Sequence, residues 1–212
     1  MTVRAAMFDL DGTLVDSLED LTDAVNHMLA GFGRPPLTSA SVRRLVGKGA
    51  HNLVRRALET ESEEAITRGI ELFVAYNSDH VTDKSLLYPG VREALLQLAE
   101  NGIRLVVISN KHEAICHLIM EALGIARLFE IICDGDTFPE MKPSPLPLLQ
   151  ALERLALPPK MRSWWGTPST TYRPANRQAY PPLAAPGATA GLKSWLGPTI
   201  APLRPATWLT SC

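Results

Sequence analysis

The chain has 212 residues, of which 46% are apolar and 20% charged, and a formal net charge of -1. That length suits one ordinary domain with a smaller appendage, and the near-neutral charge provides no overall pull toward nucleic acid or an anionic membrane. Cys116, Cys133 and Cys212 are too few and too scattered for a disulfide framework or a zinc site; with no apolar run long enough for a membrane span or a signal peptide, a cytoplasmic protein is expected.

Residues 4 to 9, RAAMFD, are a short apolar run closed by a carboxylate, the pattern of a buried parallel strand that presents Asp9 at its C-terminal end. From Ser17, a favourable N-cap, Leu18, Leu21, Val25, Met28 and Leu29 recur at helical spacing until Gly31 and Gly33. Beyond Pro35 and Pro36, helices are expected at about 39 to 46, 49 to 59 and 62 to 80, so residues 17 to 84 form an all-helical insert. After a turn at Tyr88-Pro89-Gly90, one apolar face (Val91, Ala94, Leu95, Leu98, Ala99) marks a helix that ends at Asn101-Gly102. A strand at 103 to 109, a helix at 113 to 123, a strand at 129 to 133 and a helix at 145 to 157 follow. This alternation predicts an α/β fold, a doubly wound parallel sheet with right-handed crossovers and a helical domain inserted after its first strand.

The run Asp9-Leu10-Asp11-Gly12-Thr13-Leu14-Val15-Asp16-Ser17 concentrates the chemistry. Two carboxylates at i and i+2, with Gly12 permitting a tight turn, stand side by side at the head of a strand. One can attack a phosphorus atom and so divide a hard displacement into two easier ones. Its neighbour can protonate the leaving oxygen and later deprotonate water, and a magnesium ion held by carboxylate and phosphate oxygens would offset the repulsion between anionic nucleophile and anionic substrate.

The run resembles the first motif of the haloacid dehalogenase superfamily, and the resemblance extends over about residues 3 to 160. It implies that Asp9 is the nucleophile, Asp11 the general acid and base, and that both contribute to a Mg²⁺ site. By the same resemblance Thr13 belongs to the phosphate-binding turn, Ser109 with Asn110 matches the second motif, and Lys142, in Met141-Lys142-Pro143-Ser144-Pro145, matches the charge-balancing lysine. The helical insert corresponds to the family's small cap. Within it, Gly47-Lys48-Gly49 opens a helix, where backbone N–H groups and Lys48 can meet an anion; a Gly-rich turn with a solvated lysine is the equal alternative. These stretches, with Tyr88-Pro89-Gly90-Val91 and Asp134-Gly135-Asp136-Thr137, are most similar to the phosphoglycolate phosphatase branch. The substrate implied is a small phosphorylated metabolite, with no nucleic acid or membrane partner; a pyrophosphatase or a sugar-phosphate mutase is the alternative within the family. Asp134 and Asp136 are left to local turn chemistry, and the five histidines match no ligand spacing.

The composition changes abruptly after Met161. Residues 1 to 161 hold all 22 acidic residues and 16 of the 21 Lys and Arg, whereas 162 to 212 hold no Asp or Glu, 8 of 17 prolines and all four tryptophans. Periodicity vanishes there, so an irregular tail is expected. The family's fourth motif, an apolar strand followed by Gly-Asp-x-x-x-Asp that completes the metal site, belongs at this place and is absent. Trp has the single codon TGG and Gly is always GG followed by any base, so Trp164-Trp165-Gly166 read from third codon positions is forced to Val-Gly. Permitted codons over residues 162 to 181 then yield Ala-Leu-Val-Val-Gly-Asp-Ser-Val-Asn-Asp-Val-Gln-Ala-Gly-Lys-Gln-Ala-Gly-Leu-Pro, a complete fourth motif whose aspartates straddle positions 166/167 and 170/171. A single-base deletion near codons 161 to 162 accounts for this better than a genuine tail.

Overall fold

The structure is a computed structural model that describes residues 4–135 and 137–157, with the backbone of 162–166 and 183–184. Five parallel strands form its main sheet: β1 (Ala5–Phe8), β4 (Arg104–Ile108), β5 (Ile131–Cys133), β6 (Arg162–Gly166) and β7 (Leu183–Ala184), in the spatial order β5-β4-β1-β6-β7. Two further short strands, β2 (Val15–Asp16) and β3 (Leu86–Leu87), pair antiparallel beside it. Helices α1 (Leu18–Gly31), α2 (Ser39–Arg43), α3 (Gly49–Leu58) and α4 (Glu63–Asp79) lie between those two in sequence, and α5 (Val91–Glu100), α6 (Glu113–Ala122) and α7 (Leu146–Arg154) alternate with the sheet strands.

Why the sheet is wound on both faces follows from the strand period of two. All four residues of β1 are buried. Ala6 and Phe8 join Leu105, Val107, Leu95 and Ile115 in a cluster built with α5 and α6, whereas Ala5 and Met7 join Val106, Ile108, Leu148 and Leu152 in a cluster built with α7. A strand buried on both faces must be apolar throughout, which is why it reads as a continuous run. Helices α1 to α4 close a third cluster of their own, centred on Val25, Met28, Val54, Ile66 and Phe73.

The chain leaves the sheet and returns to it at one seam. Asp20, buried in the first turn of α1, accepts hydrogen bonds from Lys84 N, Ser85 N and Ser85 Oγ, the last two at 2.7 and 2.5 Å. Its desolvated charge is thereby spread over three donors, and the two ends of the helical insert are tied together.

Element types agree with the periodicities, with boundaries a few residues shorter in several places. The expected helix at 39 to 46 ends at Arg43, and residues 126–128 form a 3-10 turn ahead of β5. Ser17 precedes α1 at φ -108 and ψ 7, outside the extended conformation of an N-cap, and makes no capping bond; its hydroxyl donates to Asp11. The expectation of an irregular tail is corrected at two places: residues 162–166 and 183–184 are strands, and β6 takes the open edge of β1. A short crossover through α7 delivers the chain to that edge, where unpaired N–H and C=O groups of β1 favour any extended segment irrespective of sequence periodicity. The remainder of the expected tail lies outside the described residues.

Candidate active site

In a doubly wound sheet the crevice outside the carboxyl ends of the strands is where ligands bind. Here Asp9 directly follows β1, Ser109 directly follows β4 and Asp134 directly follows β5. Asp9 is 4% exposed, and its Oδ1 accepts from Leu10 N at 2.8 Å and lies 2.7 Å from Lys142 Nζ. Burial lowers the Lys142 ammonium below the usual lysine range, and the Asp9 carboxylate opposes that shift.

The turn after Asp9 is held by its own backbone: Gly12 N donates to Val15 O, and Thr13 N, Leu14 N and Val15 N all donate to Leu10 O. Gly12 sits at φ 73, a left-handed conformation that costs a glycine little and a side chain with Cβ more. The turn brings Asp11 within reach of two donors. Ser17 Oγ donates to Asp11 Oδ1 at 2.5 Å, and Lys111 Nζ stands 3.3 Å from Asp11 Oδ2. Each carboxylate of the pair therefore has a lysine, one beside Asp9 and one beside Asp11, which holds two anions close together at low electrostatic cost.

A cavity of about 550 Å³ opens over these groups, lined by Asp9, Asp11 and Asp16, by Ser109, Asn110 and Lys111 after β4, and by Arg43, Gly47, Leu53, Phe73 and Asn77 from the helical insert. Ser109 is 4% exposed and its Oγ accepts from Lys111 N at 3.1 Å. Asn110 holds two chain segments together. Its Nδ2 donates to Gly47 O at 3.0 Å and Lys142 O at 2.9 Å, while its Oδ1 accepts from Lys142 N at 2.9 Å.

Of the residues singled out in the sequence, Asp9, Asp11, Ser109 and Asn110 come together on the cavity wall. Lys142 reaches Asp9 from behind it, with its side chain fully buried. Thr13 is buried in the turn and Lys48 is exposed; neither lines the cavity. The cation that the insert contributes is Arg43, four residues before Gly47, which the motif pattern did not single out. Lys111 and Ser17 were also passed over as partners of Asp11, since they lie 100 and six positions away from it. Tyr88, at the cavity edge, has its phenol raised above the usual range by burial, with the Asp16 charge adding to the effect and Arg43 opposing it. Beyond the cavity wall, ligand atoms of Glu113, His117 and Asp134 lie within 4.8 Å of one another, a grouping across α6 and β5 that spacing alone does not reveal.

Asp9 and Asp11 are hard oxygen donors at one strand end, a set that fits Mg²⁺, which takes one or two carboxylates plus substrate oxygens. The place for a further carboxylate is defined by register. Phe8 pairs with Trp165 in the parallel β1–β6 ladder, so the position level with Asp9 is Gly166, and no Asp or Glu follows Met161.

Fold and site together define a doubly wound α/β protein with paired carboxylates at its strand ends and helices over them. The chain belongs to the haloacid dehalogenase-like hydrolases: the model of that family matches residues 6–162. Phosphoglycolate phosphatase 1 of Pseudomonas aeruginosa is 41% identical over 167 residues, 74% of this chain and 60% of its own length. Phosphoglycolate phosphatase of Chromobacterium violaceum is 40% identical over 163 residues, 74% of this chain and 73% of its own. The crystal structure of a phosphoglycolate phosphatase predicted in Haemophilus somnus 129pt superposes with a TM-score of 0.75 at 31% identity, covering 79% of this chain and 78% of that one. The present chain thus spans 60% of the Pseudomonas relative.

Proposed function

We propose that the site hydrolyses a small phosphomonoester, 2-phosphoglycolate in particular, to the alcohol and phosphate. The observation that carries this reading is the Asp9 carboxylate, which follows β1 directly, lines the cavity and is ion-paired at 2.7 Å to the fully buried Lys142. Asp9 attacks phosphorus and displaces the alkoxide, which takes a proton from Asp11 and leaves as glycolate; Asp11 then removes a proton from water, which attacks the aspartyl-phosphate and releases phosphate and free Asp9. Ser109 and Lys111 stand where they can bind phosphoryl oxygens, and Lys142 holds Asp9 in place. Asn110, which lines the cavity, also joins the Lys142 segment to Gly47. Mg²⁺ held by Asp9 and Asp11 would supply charge neutralisation between nucleophile and phosphoryl group.

Residues 17–84 act in this reading as a cap over a core made of 1–16 and 85–161. Supporting it are the separate apolar cluster of α1 to α4 and the Asp20 seam at Lys84 and Ser85. Two buried free thiols, Cys116 and Cys133, favour the cytoplasm as its compartment, and among the described residues no helix is long and apolar enough to cross a membrane.

A specific observation favours a weakened catalyst. The family match ends at residue 162, at the compositional seam, and β6 runs to the level where a metal carboxylate would stand beside Asp9 while supplying Gly166. Both support a lost base near codon 161. The deciding assay is Mg²⁺-dependent phosphate release from 2-phosphoglycolate by these 212 residues beside a frame-restored chain, together with resequencing across that codon. The written chain is expected to be slower by a factor on the order of a hundred or more, since a bound metal contributes several kcal/mol of transition-state stabilisation. Equal rates, or an intact frame, would overturn this account, and a phosphoester panel that favours pyrophosphate or a sugar phosphate would transfer the reading to those branches.

A further inference from the structure

Helix α6 meets two different surroundings. His112, which precedes it, and Ile115 line the cavity. Glu113 and His117, four positions apart and so neighbours on one helix face, do not. With Asp134, which directly follows β5 and does not line the cavity either, they make a separate group whose ligand atoms all lie within 4.8 Å of one another. Glu113 is exposed, His117 half-buried and Asp134 buried, so the group runs inward from the surface.

The two segments that supply these side chains are already held against each other. Gly135 N donates to Lys111 O at 2.9 Å, and a Cβ at Gly135 would stand 2.9 Å from Asn110 O, so the chain after β5 lies directly on the chain that leads into α6. Thr137 Oγ1 donates to Asp134 Oδ1 at 2.7 Å and accepts from Asp134 N at 3.0 Å, which orients that carboxylate. An ionised carboxylate has about four acceptor sites, so such a bond is compatible with a cation on the same group. The chemistry of the set is selective. An imidazole nitrogen suits zinc and its transition-metal neighbours, whereas Mg²⁺ prefers oxygen ligands throughout, and two carboxylates offset the charge of a dication. Ligand atoms around a tetrahedral zinc stand about 3.4 Å apart, a contraction that the exposed and rotatable Glu113 side chain can supply.

We propose that Glu113, His117 and Asp134 form a metal site apart from the Asp9 and Asp11 pair, one that takes Zn²⁺ or a similar transition-metal dication and clips the start of α6 to the end of β5. It stands independently of the phosphatase reading, because Asp9 and Asp11 offer oxygen alone and lie on the cavity wall. Ser109 and Asn110 run directly into α6, so the clip also braces that side of the cavity. Three protein ligands leave a fourth position for water.

The test is calorimetric titration of Zn²⁺ into the tag-free 212-residue chain and into Asp11→Asn, Glu113→Gln and His117→Ala, with millimolar Mg²⁺ present to compete at Asp9 and Asp11, and with thermal midpoints recorded in parallel. The unaltered chain and Asp11→Asn are expected to bind one Zn²⁺ with equal affinity and to gain thermal midpoint on binding, because an ion that binds only the folded chain stabilises it. Glu113→Gln and His117→Ala should each weaken that binding at least tenfold, the least that even a partner of a metal ligand costs when removed, and lose the gain in midpoint. Glu113 is exposed, so its variant keeps the test decisive if His117→Ala fails to fold. No Zn²⁺ binding by the unaltered chain, equal binding by Glu113→Gln, or loss of binding in Asp11→Asn overturns the site. None of these outcomes touches the phosphatase reading, which phosphate release decides.

Discussion

Replacing Asn110 by alanine removes three hydrogen bonds at once: Nδ2 to Gly47 O at 3.0 Å, Nδ2 to Lys142 O at 2.9 Å, and Lys142 N to Oδ1 at 2.9 Å. At about 1 kcal/mol for each bond, and with Asn110 only 8% exposed, the loss comes to about 3 kcal/mol. Three sites are involved: the strand end after β4, the loop that ends in Lys142, and the Gly47 turn of the helical insert. The stability loss should therefore come with a loss of order at the Lys142–Asp9 contact. Urea unfolding followed by circular dichroism measures the first effect from the shift of the midpoint at constant slope. Lys48→Ala is the control, since that side chain is exposed and its removal should change stability by no more than about 0.5 kcal/mol. A loss below about 1 kcal/mol for Asn110→Ala, or one equal to that of Lys48→Ala, would refute the latch.

Two further outcomes follow from packing and burial. At Gly69 an added methyl would stand 2.5 Å from Val54 Cγ1 and 3.2 Å from both Leu58 Cδ1 and Met28 Sδ. Overpacking at about 1–3 kcal/mol outweighs the gain of about 1 kcal/mol in helix propensity, so Gly69→Ala should lower the thermal midpoint, and a raised midpoint would show that the helices part freely. Burial pushes the Cys116 thiol up to about 12, with the Asp11 charge adding to the effect, and the Cys133 thiol up to about 11. Thiolate is the reactive form, so at pH 8 its fraction is on the order of 10⁻⁴ for Cys116 and 10⁻³ for Cys133, and native alkylation of both should be slow and should rise about tenfold per pH unit up to pH 10. Peptide-resolved mass spectrometry of iodoacetamide-treated protein, native and urea-unfolded, checks this; equal labelling in both states would contradict it.

Features carried by local pattern were readable from the sequence. The apolar run before Asp9 is a strand buried on both faces, the stripes of α1, α4 and α5 are helices, and the two carboxylates at i and i+2 share one turn because Gly12 allows it. The break at residue 162 was visible too, because loss of every acid and of all periodicity is a property of the string itself.

What the sequence could not decide depends on positions that meet only after folding. Lys142 stands beside Asp9 and Lys111 beside Asp11 because separate strands end at one edge of the sheet; no short-range rule pairs residues so far apart. Arg43 rather than Lys48 lines the cavity, a choice that neither residue's spacing reveals. Ser17 looked like a cap but donates to Asp11 and makes no capping bond, its backbone at φ -108 and ψ 7 lying outside the extended conformation of an N-cap. Segment 162–166 lacks the expected pattern yet forms β6, because the open edge of β1 offers a ladder of backbone partners to whatever chain α7 delivers.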